Sequence, residues 1–453
     1  MIVVKFGGTS MADAAAITRA GEIVRTRVKR QPIVVVSAFA GVTNQLLQVG
    51  AQAVDGQLVP AMATVQALRE RHLNEAHALL GDTADGLELA GELSSMIDEL
   101  AALVEALAVL GHGTPRAMDK IAALGEQLSS LVATAAFRNM GLNARHVDAR
   151  DVMRTDDHFG KAEPQPELIS EAARRVLSPI IRAGEIPVLG GFVGATAQRV
   201  TTTLGRGGSD YSASLIGAAL RTDVIEIWTD VDGMLSADPR IVADARLIAD
   251  IRFDEASELA SFGAKVLHPS TIAPAVKLGI PVYVFNSRNP AGTGTRITFE
   301  APHRPVTAIA GKKNVTVIKV RSARMLMAHG VLRRIFEVFE QHRTSVDVVA
   351  TSEVSVSVTI DDTTHLEALL NDLQPLGDVS VERNRGILAL VGSGMSDDSQ
   401  AMARALAALE GARVHMVSLS ASGINLTLIV DGDQVDAGMR RLHAAFFGRQ
   451  VAA

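Results

Sequence analysis

The segment Met1-Ile-Val-Val-Lys-Phe-Gly-Gly-Thr-Ser10 decides the fold prediction, because an apolar run leads directly into a lysine, two glycines and two hydroxyl residues. A short run rich in β-branched residues is typical of a buried strand. Glycines let a backbone approach an anion closely, and their N–H groups can face a phosphate. Lys5 adds a positive charge at the same strand end. The segment therefore fits either a phosphate-binding loop or a strand followed by an ordinary turn.

The composition excludes several classes of protein and site. The 453 residues include no cysteine, which removes disulfides, thiolate metal sites and cysteine nucleophiles. A net charge of −6 and 4% aromatic residues offer neither the field nor the stacking surfaces that nucleic-acid binding uses. No basic region and apolar core precede the first strand, and no apolar run reaches about 18 residues, so we expect neither a secretion signal nor a membrane span. These features predict a cytoplasmic protein.

The first two thirds of the chain, residues 1 to about 300, alternate β-branched runs with stretches of helical spacing. Residues 88–110 are the clearest helix, because apolar side chains recur there every three or four positions. The alternation predicts an α/β fold, a three-layer αβα sandwich around a largely parallel sheet. The predicted strands are Ile2–Lys5, Ile33–Ser37, Pro187–Gly190, Val224–Thr229 and Pro281–Phe285.

The last third of the chain has a different pattern of predicted strands and helices, which begins after a junction with two prolines at 298–314. Two consecutive α+β units of about 70 residues follow and indicate an internal duplication. The first unit is predicted to end with a strand at Val379–Glu382, and the second to begin with a strand at Gly386–Val391. The second unit lacks a clear last strand, which the preceding linker at 301–312 can supply. We therefore predict three domains, over 1–300, 313–385 and 386–453.

A second glycine-rich segment, Thr201-Thr-Thr-Leu-Gly-Arg-Gly-Gly-Ser-Asp210, precedes a helical stretch. A glycine turn that opens a helix presents free N–H groups and the positive end of the helix dipole to an anion. Arg206 can bind a carboxylate through two hydrogen bonds. Helix capping by Ser209 and Asp210 is the alternative. Because capping does not explain three glycines and an arginine, the segment favours a binding function.

Three further segments fit a nucleotide or substrate site less specifically. The acidic loop Trp228–Arg240 follows a strand, and Asp230 is its best candidate for a ribose or Mg²⁺-linked role, although Asp-Gly and Asp-Pro also form plain turns. Lys265 lies two positions after Gly263, and by itself it would be a surface charge, while His268 before a proline fits a structural hydrogen bond. Ser37–Asn44 can orient a small polar substrate or form an ordinary turn. The common G-x-x-x-x-G-K-[ST] and G-x-G-x-x-G motifs are absent.

Together these segments resemble the aspartate kinases of the amino-acid kinase family, and among them the lysine-sensitive monofunctional enzymes. The resemblance covers essentially the whole chain and leaves no room for a homoserine dehydrogenase domain. It implies a catalytic domain of amino-acid kinase type followed by two ferredoxin-like ACT domains. The matching segments are Lys5–Ser10, Ser37–Thr43, Gly125-Glu126, Met153–Asp156, Phe159–Glu163, Thr201–Asp210, Trp228–Arg240, Phe262–Pro269 and Thr351–Ser355.

The resemblance also implies a reaction, the phosphorylation of the L-aspartate side-chain carboxylate by ATP with Mg²⁺. The product, 4-phospho-L-aspartate, begins the route to lysine, threonine, methionine and diaminopimelate. Lys5 and Asp210 would be catalytic, with Asp210 organising the polar centre. Arg206 would clamp the aspartate α-carboxylate and Glu126 would bind its ammonium group, while Ser37 and Thr43 complete the pocket. The residues expected at the nucleotide are Lys5, Gly7, Gly8, Ser10, Thr229, Asp230, Leu235, Arg240 and Lys265. Leu235 stands where relatives commonly have an aromatic residue.

The duplicated tail, which carries no catalytic cluster, predicts a regulatory role, with oligomerisation as the alternative. In the enzymes that this chain resembles, effector amino acids bind between the ACT domains of two subunits. We expect lysine as the inhibitor, with threonine as the competing effector, and a homodimer or homotetramer formed through the ACT domains. Asp347 and Glu353 suit an effector's ammonium groups, and Ser345 and Ser352 suit its other polar groups. The full set of matching positions is Met325, Gly330, Leu332, Ser345, Val346, Asp347, Ser352 and Glu353.

Two rival functions remain open at this point. A kinase of the same fold can use another acceptor, such as acetylglutamate, glutamate, carbamate or a nucleoside monophosphate. The pair Arg206 and Glu126 argues against most of these, because it suits a free amino acid. A non-catalytic amino-acid sensor would need a decayed front half, whereas Lys5, Asp210 and Lys265 are all present.

Overall fold

The computed structural model describes residues 1–262, 267, 269–325 and 329–448. These fall into two compact units. The first comprises residues 1–234 and the described part of the segment that ends at 299, and the second comprises residues 235–262 and 300–448. The domain limits predicted from the sequence stay a prediction. Among the described residues, no helix combines the length and the apolar character that crossing a membrane requires.

The first unit is built on a sheet that is largely parallel. Its strand order is β3-β4-β2-β1-β7-β9-β10, and only β10 runs antiparallel to its neighbour. A separate antiparallel pair, β5 and β6, lies beside it. The strands are β1 (Ile2–Phe6), β2 (Pro32–Val36), β3 (Ala144–His146), β4 (Ile186–Gly190), β5 (Val193–Ala195), β6 (Thr201–Thr203), β7 (Val224–Thr229), β9 (Val282–Asn286) and β10 (Thr295–Ile297).

Helices cover both faces of this sheet. Alternate side chains of β1 and β2 join one apolar core with the first five helices, while α7 packs against β1, β2 and β7 and contacts α6 and α9. The α/β sandwich prediction is confirmed, and the five predicted strands agree with the structure to within one residue at each end. The helices are α1 (Ala14–Arg27), α2 (Val42–Val54), α3 (Leu58–Leu80), α4 (Ala84–Leu110), α5 (Pro115–Asn139), α6 (Pro166–Arg182), α7 (Gly208–Leu220) and α9 (Pro269–Lys277).

The second unit contains one six-stranded antiparallel sheet in the order β12-β13-β11-β14-β16-β15. Its two central strands are 14 residues long and serve both halves of the duplication. The elements of this unit are β8 (Asp250–Ile251), α8 (Phe253–Ser261), β11 (Ala308–Arg321), α10 (Val331–Gln341), β12 (Val349–Thr351), β13 (Ser355–Ile360), α11 (Leu366–Leu373), β14 (Asp378–Val391), α12 (Ser399–Ala408), β15 (Val414–Leu419), β16 (Asn425–Asp431) and α13 (Val435–Phe447).

The central strand β14 differs from the sequence prediction. The sequence indicated two strands, Val379–Glu382 and Gly386–Val391, in different units, whereas the structure joins them in β14. The polar residues between these two strands are typical of a turn, and Asn384 has a positive φ of 55° in the structure. The register of β14 against β11 shifts here, so the strand continues through an irregularity instead of ending.

Candidate active site

A cavity of about 850 Å³ opens where β1 and β2 end and α7 begins. This is the edge at which open α/β sheets bind their ligands. Its walls come from segments that are far apart in the sequence, and the fold brings their residues together in one cavity. The predicted site residues that line it are Lys5, Gly8, Ser37, Thr43, Glu126, Arg206 and Asp210.

Lys5 and Asp210 form a largely buried ion pair in this cavity. The Lys5 Nζ lies 2.6 Å from the Asp210 Oδ1, and the two side chains are 9% and 16% exposed. Lys5 belongs to β1, between β2 and β7, so its backbone is fixed by two parallel partners. Asp210 lies in the first turn of α7, where an acidic side chain also stabilises the helix dipole. The pair holds the lysine charge at the strand end without leaving it unbalanced.

Glu126 supplies a buried carboxyl group with an unused acceptor. Its Oε2 is buried and has no hydrogen-bond partner among the described residues. Burial raises the pKa of Glu126 to about 8, although a backbone hydrogen bond at Ala38 and the charge of Lys5 both oppose the rise. Helix α5 can bring this group to the loop after β2 because residue 125 is glycine, since a Cβ there would lie 2.8 Å from the Cβ of Ala38. A cationic ligand group beside Glu126 would complete its bonding and favour its ionised form.

Arg206 faces the same cavity and is exposed. No ion-pair or hydrogen-bond partner for its guanidinium occurs in the part of the chain that the structure describes. The glycines on either side, Gly205 and Gly207, both have φ of +73°, a backbone conformation that side chains disfavour. Gly207 is the N-cap of α7, so the arginine stands on the turn that opens this helix. Its fork of N–H donors is available for a carboxylate.

Asp119 is a cavity residue that the sequence analysis missed. It accepts hydrogen bonds from the Gly160 N at 3.0 Å, the Thr203 N at 3.0 Å and the Thr203 Oγ1 at 2.7 Å. Burial raises the pKa of Asp119, and these three hydrogen bonds oppose the rise. Asp119 lies seven residues before Glu126, on the same face of α5. That spacing of two acids on an apolar helix face was the signal available in the sequence.

Four other predicted nucleotide residues lie at the ends of β1 and β7 and are not among the residues that line the cavity: Gly7, Ser10, Thr229 and Asp230. The Gly7 N donates to the Trp228 carbonyl at 2.9 Å, which places Gly7 next to Thr229 and Asp230. The Thr229 Oγ1 donates to the Asp230 Oδ1 at 3.2 Å. The Ser10 hydroxyl is buried and contacts the same Trp228 carbonyl at 3.2 Å. In this structure Ser10 fastens two strand ends, and its contact with a nucleotide stays a prediction.

Leu235 and Arg240 belong to the second compact unit. Leu235 lies in an isolated antiparallel bridge. The Arg240 side chain is 87% exposed and pairs with Asp238 at 2.6 Å. Lys265 and His268 lie outside the described residues, so their predicted roles are neither supported nor opposed by the structure.

The predicted effector residues lie on loops and turns of the first half of the duplicated tail. Met325 ends a short 3₁₀ turn, Gly330 precedes α10, and Leu332 is exposed in its first turn. The segment from Ser345 through Val346 to Asp347 follows α10, and Ser352 with Glu353 forms the turn between β12 and β13. Their role stays a prediction.

Asp347 already has a cationic partner within the chain. The Lys312 Nζ lies 2.9 Å from the Asp347 Oδ2 and 2.8 Å from the Asp361 Oδ2. Burial lowers the pKa of Lys312, but the two carboxylates outweigh it and the pKa is raised. The sequence analysis did not select Lys312, because it fell in the predicted junction at 298–314, whereas in the structure it is the fifth residue of β11.

Two family models match the chain. A family model described as the amino acid kinase family matches residues 1–286, and one described as an ACT domain matches residues 388–446. The chain is 35% identical to the lysine-sensitive aspartokinase 3 of Escherichia coli, over 99% of both chains. Its structure is similar to that of E. coli aspartokinase III in complex with aspartate and ADP, with a TM-score of 0.84 and 35% identity, covering 99% of this chain and 100% of that one. For the complex of that enzyme with lysine and aspartate, the TM-score is 0.81 at 34% identity, covering 99% of each chain.

The chain therefore belongs to the amino acid kinase family. Within it, full-length similarity makes the chain a member of the aspartokinases, which confirms the resemblance seen in the sequence.

Proposed function

We propose that this chain is an aspartate kinase, which transfers the terminal phosphoryl group of ATP to the side-chain carboxylate of L-aspartate. The observation that carries the proposal is that one cavity is lined both by buried Glu126, whose Oε2 accepts no hydrogen bond, and by Arg206, whose guanidinium has no partner among the described residues. The first fits an α-ammonium group and the second an α-carboxylate, which is the recognition pattern of a free amino acid. Lys5 completes the site near the reacting groups.

The chemistry requires little more than this arrangement. A carboxylate nucleophile is already ionised at neutral pH, so no strong general base is needed. Phosphoryl transfer depends on in-line positioning and on neutralising the negative charge of the transferring group. Lys5 supplies positive charge, and its contact with Asp210 fixes the direction of the ammonium group. Arg206 and Glu126 orient the acceptor.

ATP is the proposed phosphoryl donor, since the similar E. coli enzyme was solved with ADP. Mg²⁺ is part of the proposal, and it would neutralise phosphate charge when bound. Among the described residues, no group of three or more histidine, aspartate, glutamate or cysteine side chains could hold a metal ion. That fits Mg²⁺, which proteins usually bind through one or two carboxylates together with the substrate phosphates. A cytoplasmic location stays part of the proposal.

Regulation by lysine is the second part of the proposal. An E. coli relative is named lysine-sensitive and was solved with lysine bound. An inhibitor acts by binding an inactive arrangement better than the active one. We place lysine at the tail, with its ammonium groups at Asp347 and Glu353, between the ACT domains of a homodimer or homotetramer. Threonine is the competing effector.

The decisive experiment measures ADP release as a function of aspartate, glutamate and acetylglutamate, and repeats it with lysine and threonine. Turnover with aspartate alone supports the proposal, whereas turnover with another acceptor would identify a different kinase. Absence of turnover with every acceptor, together with amino-acid binding, would indicate a sensor. Insensitivity to millimolar lysine would reject lysine as the effector and leave the kinase assignment intact.

Two substitutions test the assigned roles. Lys5→Ala should chiefly lower kcat, because it removes charge at the transferring group. Arg206→Ala should chiefly raise the KM for aspartate, because it removes the carboxylate clamp. Equal and small effects of both substitutions would contradict the assignment.

A further inference from the structure

Arg71, on helix α3, reaches two loops at the cavity and joins them. Its NH1 donates to the Ala40 carbonyl at 2.9 Å, and its NH2 donates to the Ala12 carbonyl at 3.0 Å. The guanidinium carbon also lies 5.9 Å from the centre of the Phe39 ring. One side chain therefore holds the segment after β1 and the segment after β2 through separate nitrogen atoms.

Both of these segments contribute residues to the lining of the cavity. The first contains Gly8, and the second contains Phe39 and Ala40, all of which line the cavity. The segments already touch, because a Cβ on Gly8 would lie 3.3 Å from the Ala38 carbonyl oxygen. Arg71 therefore joins the segment proposed to bind phosphates to the segment proposed to bind the acceptor, close to the point where the two segments touch.

Neighbouring side chains of α3 fix the same two segments. The His72 ring stacks on the Phe39 ring, with centroids 4.8 Å apart and planes 10° apart. Burial lowers the pKa of His72 to about 4, so this ring is neutral at physiological pH. One turn further on, the Glu75 Oε2 accepts a hydrogen bond from the Ala14 N at 2.6 Å. Arg71 is therefore held in a rigid frame and is not a free surface cation.

We propose that Arg71 is a positioning residue, which sets the distance between the donor phosphates and the acceptor carboxylate by bridging Ala12 and Ala40. The proposal rests on the aspartate kinase function. Arg71 itself does not line the cavity. A planar guanidinium suits this role, because its separate N–H groups can serve two carbonyls at once, which a single lysine ammonium does with less geometric definition.

The test compares Arg71→Ala and Arg71→Lys with Arg69→Ala as the matched control. Arg69 is on the same helix but bonds Asp98 and the Ser94 carbonyl on α4, away from the cavity. We expect Arg71→Ala to lower kcat roughly 10- to 100-fold, the loss that a small misplacement of reacting groups produces, with little change in either KM. Arg71→Lys should recover part of the loss, and millimolar guanidinium should restore part of the activity of Arg71→Ala alone. Arg69→Ala should stay within about twofold of wild type.

A second measurement keeps this proposal separate from the proposed function. Amide hydrogen exchange at residues 8–13 and 38–42 should speed up in Arg71→Ala and not in Arg69→Ala, whatever the substrate is. Faster exchange without aspartate turnover in the wild type would overturn the kinase assignment but not the bridge. Unchanged exchange and unchanged kcat, or a loss of kcat equal to that of Arg69→Ala, would overturn the role of Arg71.

Discussion

The substitution Glu126→Gln tests the site at its most unusual group. In the folded chain the pKa of Glu126 is about 8, against 4.5 for a glutamate in an unfolded chain. When the pKa of a group is higher in the folded chain than in the unfolded chain, its contribution to folding stability is fully present at a pH below the unfolded-state pKa. That contribution is lost as the pH rises to and through the folded-state pKa. The difference between the two pKa values corresponds to a loss of about 4 to 5 kcal/mol of folding stability between pH 4.5 and pH 8. Glutamine has a similar shape and no such loss.

The stability assay follows the unfolding midpoint of wild type and Glu126→Gln between pH 5.5 and pH 9. The free energy of unfolding of the variant, relative to that of the wild type, should increase by about 1.4 kcal/mol per pH unit up to pH 8. Above pH 8 the difference between the two proteins should level off. Glu88→Gln is the control, because Glu88 is exposed on α4 and the substitution also removes one carboxylate. A difference that does not change with pH, or an equal slope for both variants, would refute the reasoning.

The same group should couple aspartate binding to proton release. Near pH 7 the Glu126 carboxyl is protonated in the free protein, and an α-ammonium group beside it favours the ionised form. Aspartate binding should therefore release up to one proton, which calorimetry detects by comparing buffers with different ionisation enthalpies. Glu126→Gln should release none and should bind aspartate roughly 10- to 100-fold more weakly, as expected for a lost charged hydrogen bond. Equal proton release from both proteins would place the ammonium group elsewhere.

Three further substitutions probe other parts of the structure. Lys312→Met removes the cation that pairs with Asp347, so half-inhibition by lysine should occur at a severalfold lower lysine concentration in kinase assays. A higher concentration for half-inhibition would contradict the proposed effector site. Gly125→Ala places a Cβ 2.8 Å from Ala38, which should cost about 1–3 kcal/mol in urea unfolding through overpacking. Asp119→Asn replaces an acceptor of three hydrogen bonds and should cost a similar amount in the same assay, about 1–3 kcal/mol, while an unchanged midpoint would contradict its role in the cavity wall.

Five strands of the largely parallel sheet could be predicted from the sequence because each is a short run rich in apolar, mostly β-branched residues. Ile2–Phe6, Pro32–Val36 and Ile186–Gly190 are buried along their whole length, as central parallel strands are. The central strand β14 could not be predicted in the same way. Its middle is polar and half exposed, and only its pairing with β11 and β16 keeps it extended.

The candidate site shows a similar division. Lys5, Arg206 and Asp210 lie in glycine-rich segments, whose unusual composition was visible in the sequence. Asp119 and Arg71 lie within ordinary helices and act through distant backbone groups, so their contacts exist only once the chain is folded. Local composition therefore identifies groups that meet ligands, whereas groups that hold the walls in place need the tertiary structure.

The charge balance of the cavity explains why the acceptor should carry an amino group. Lys5 and Arg206 are the cationic residues among those that line it, and Asp210 already pairs with Lys5. With Glu126 protonated, Arg206 is the remaining cation, and it fits one carboxylate of any diacid. An ammonium group adds a second attachment point, because its positive charge favours the ionised form of Glu126 and can then pair with that carboxylate. Succinate, which lacks that group, should bind more weakly than aspartate and without proton release, and calorimetry of the two ligands side by side tests this difference. Equal affinity and equal proton release would mean that Glu126 does not read the ammonium group.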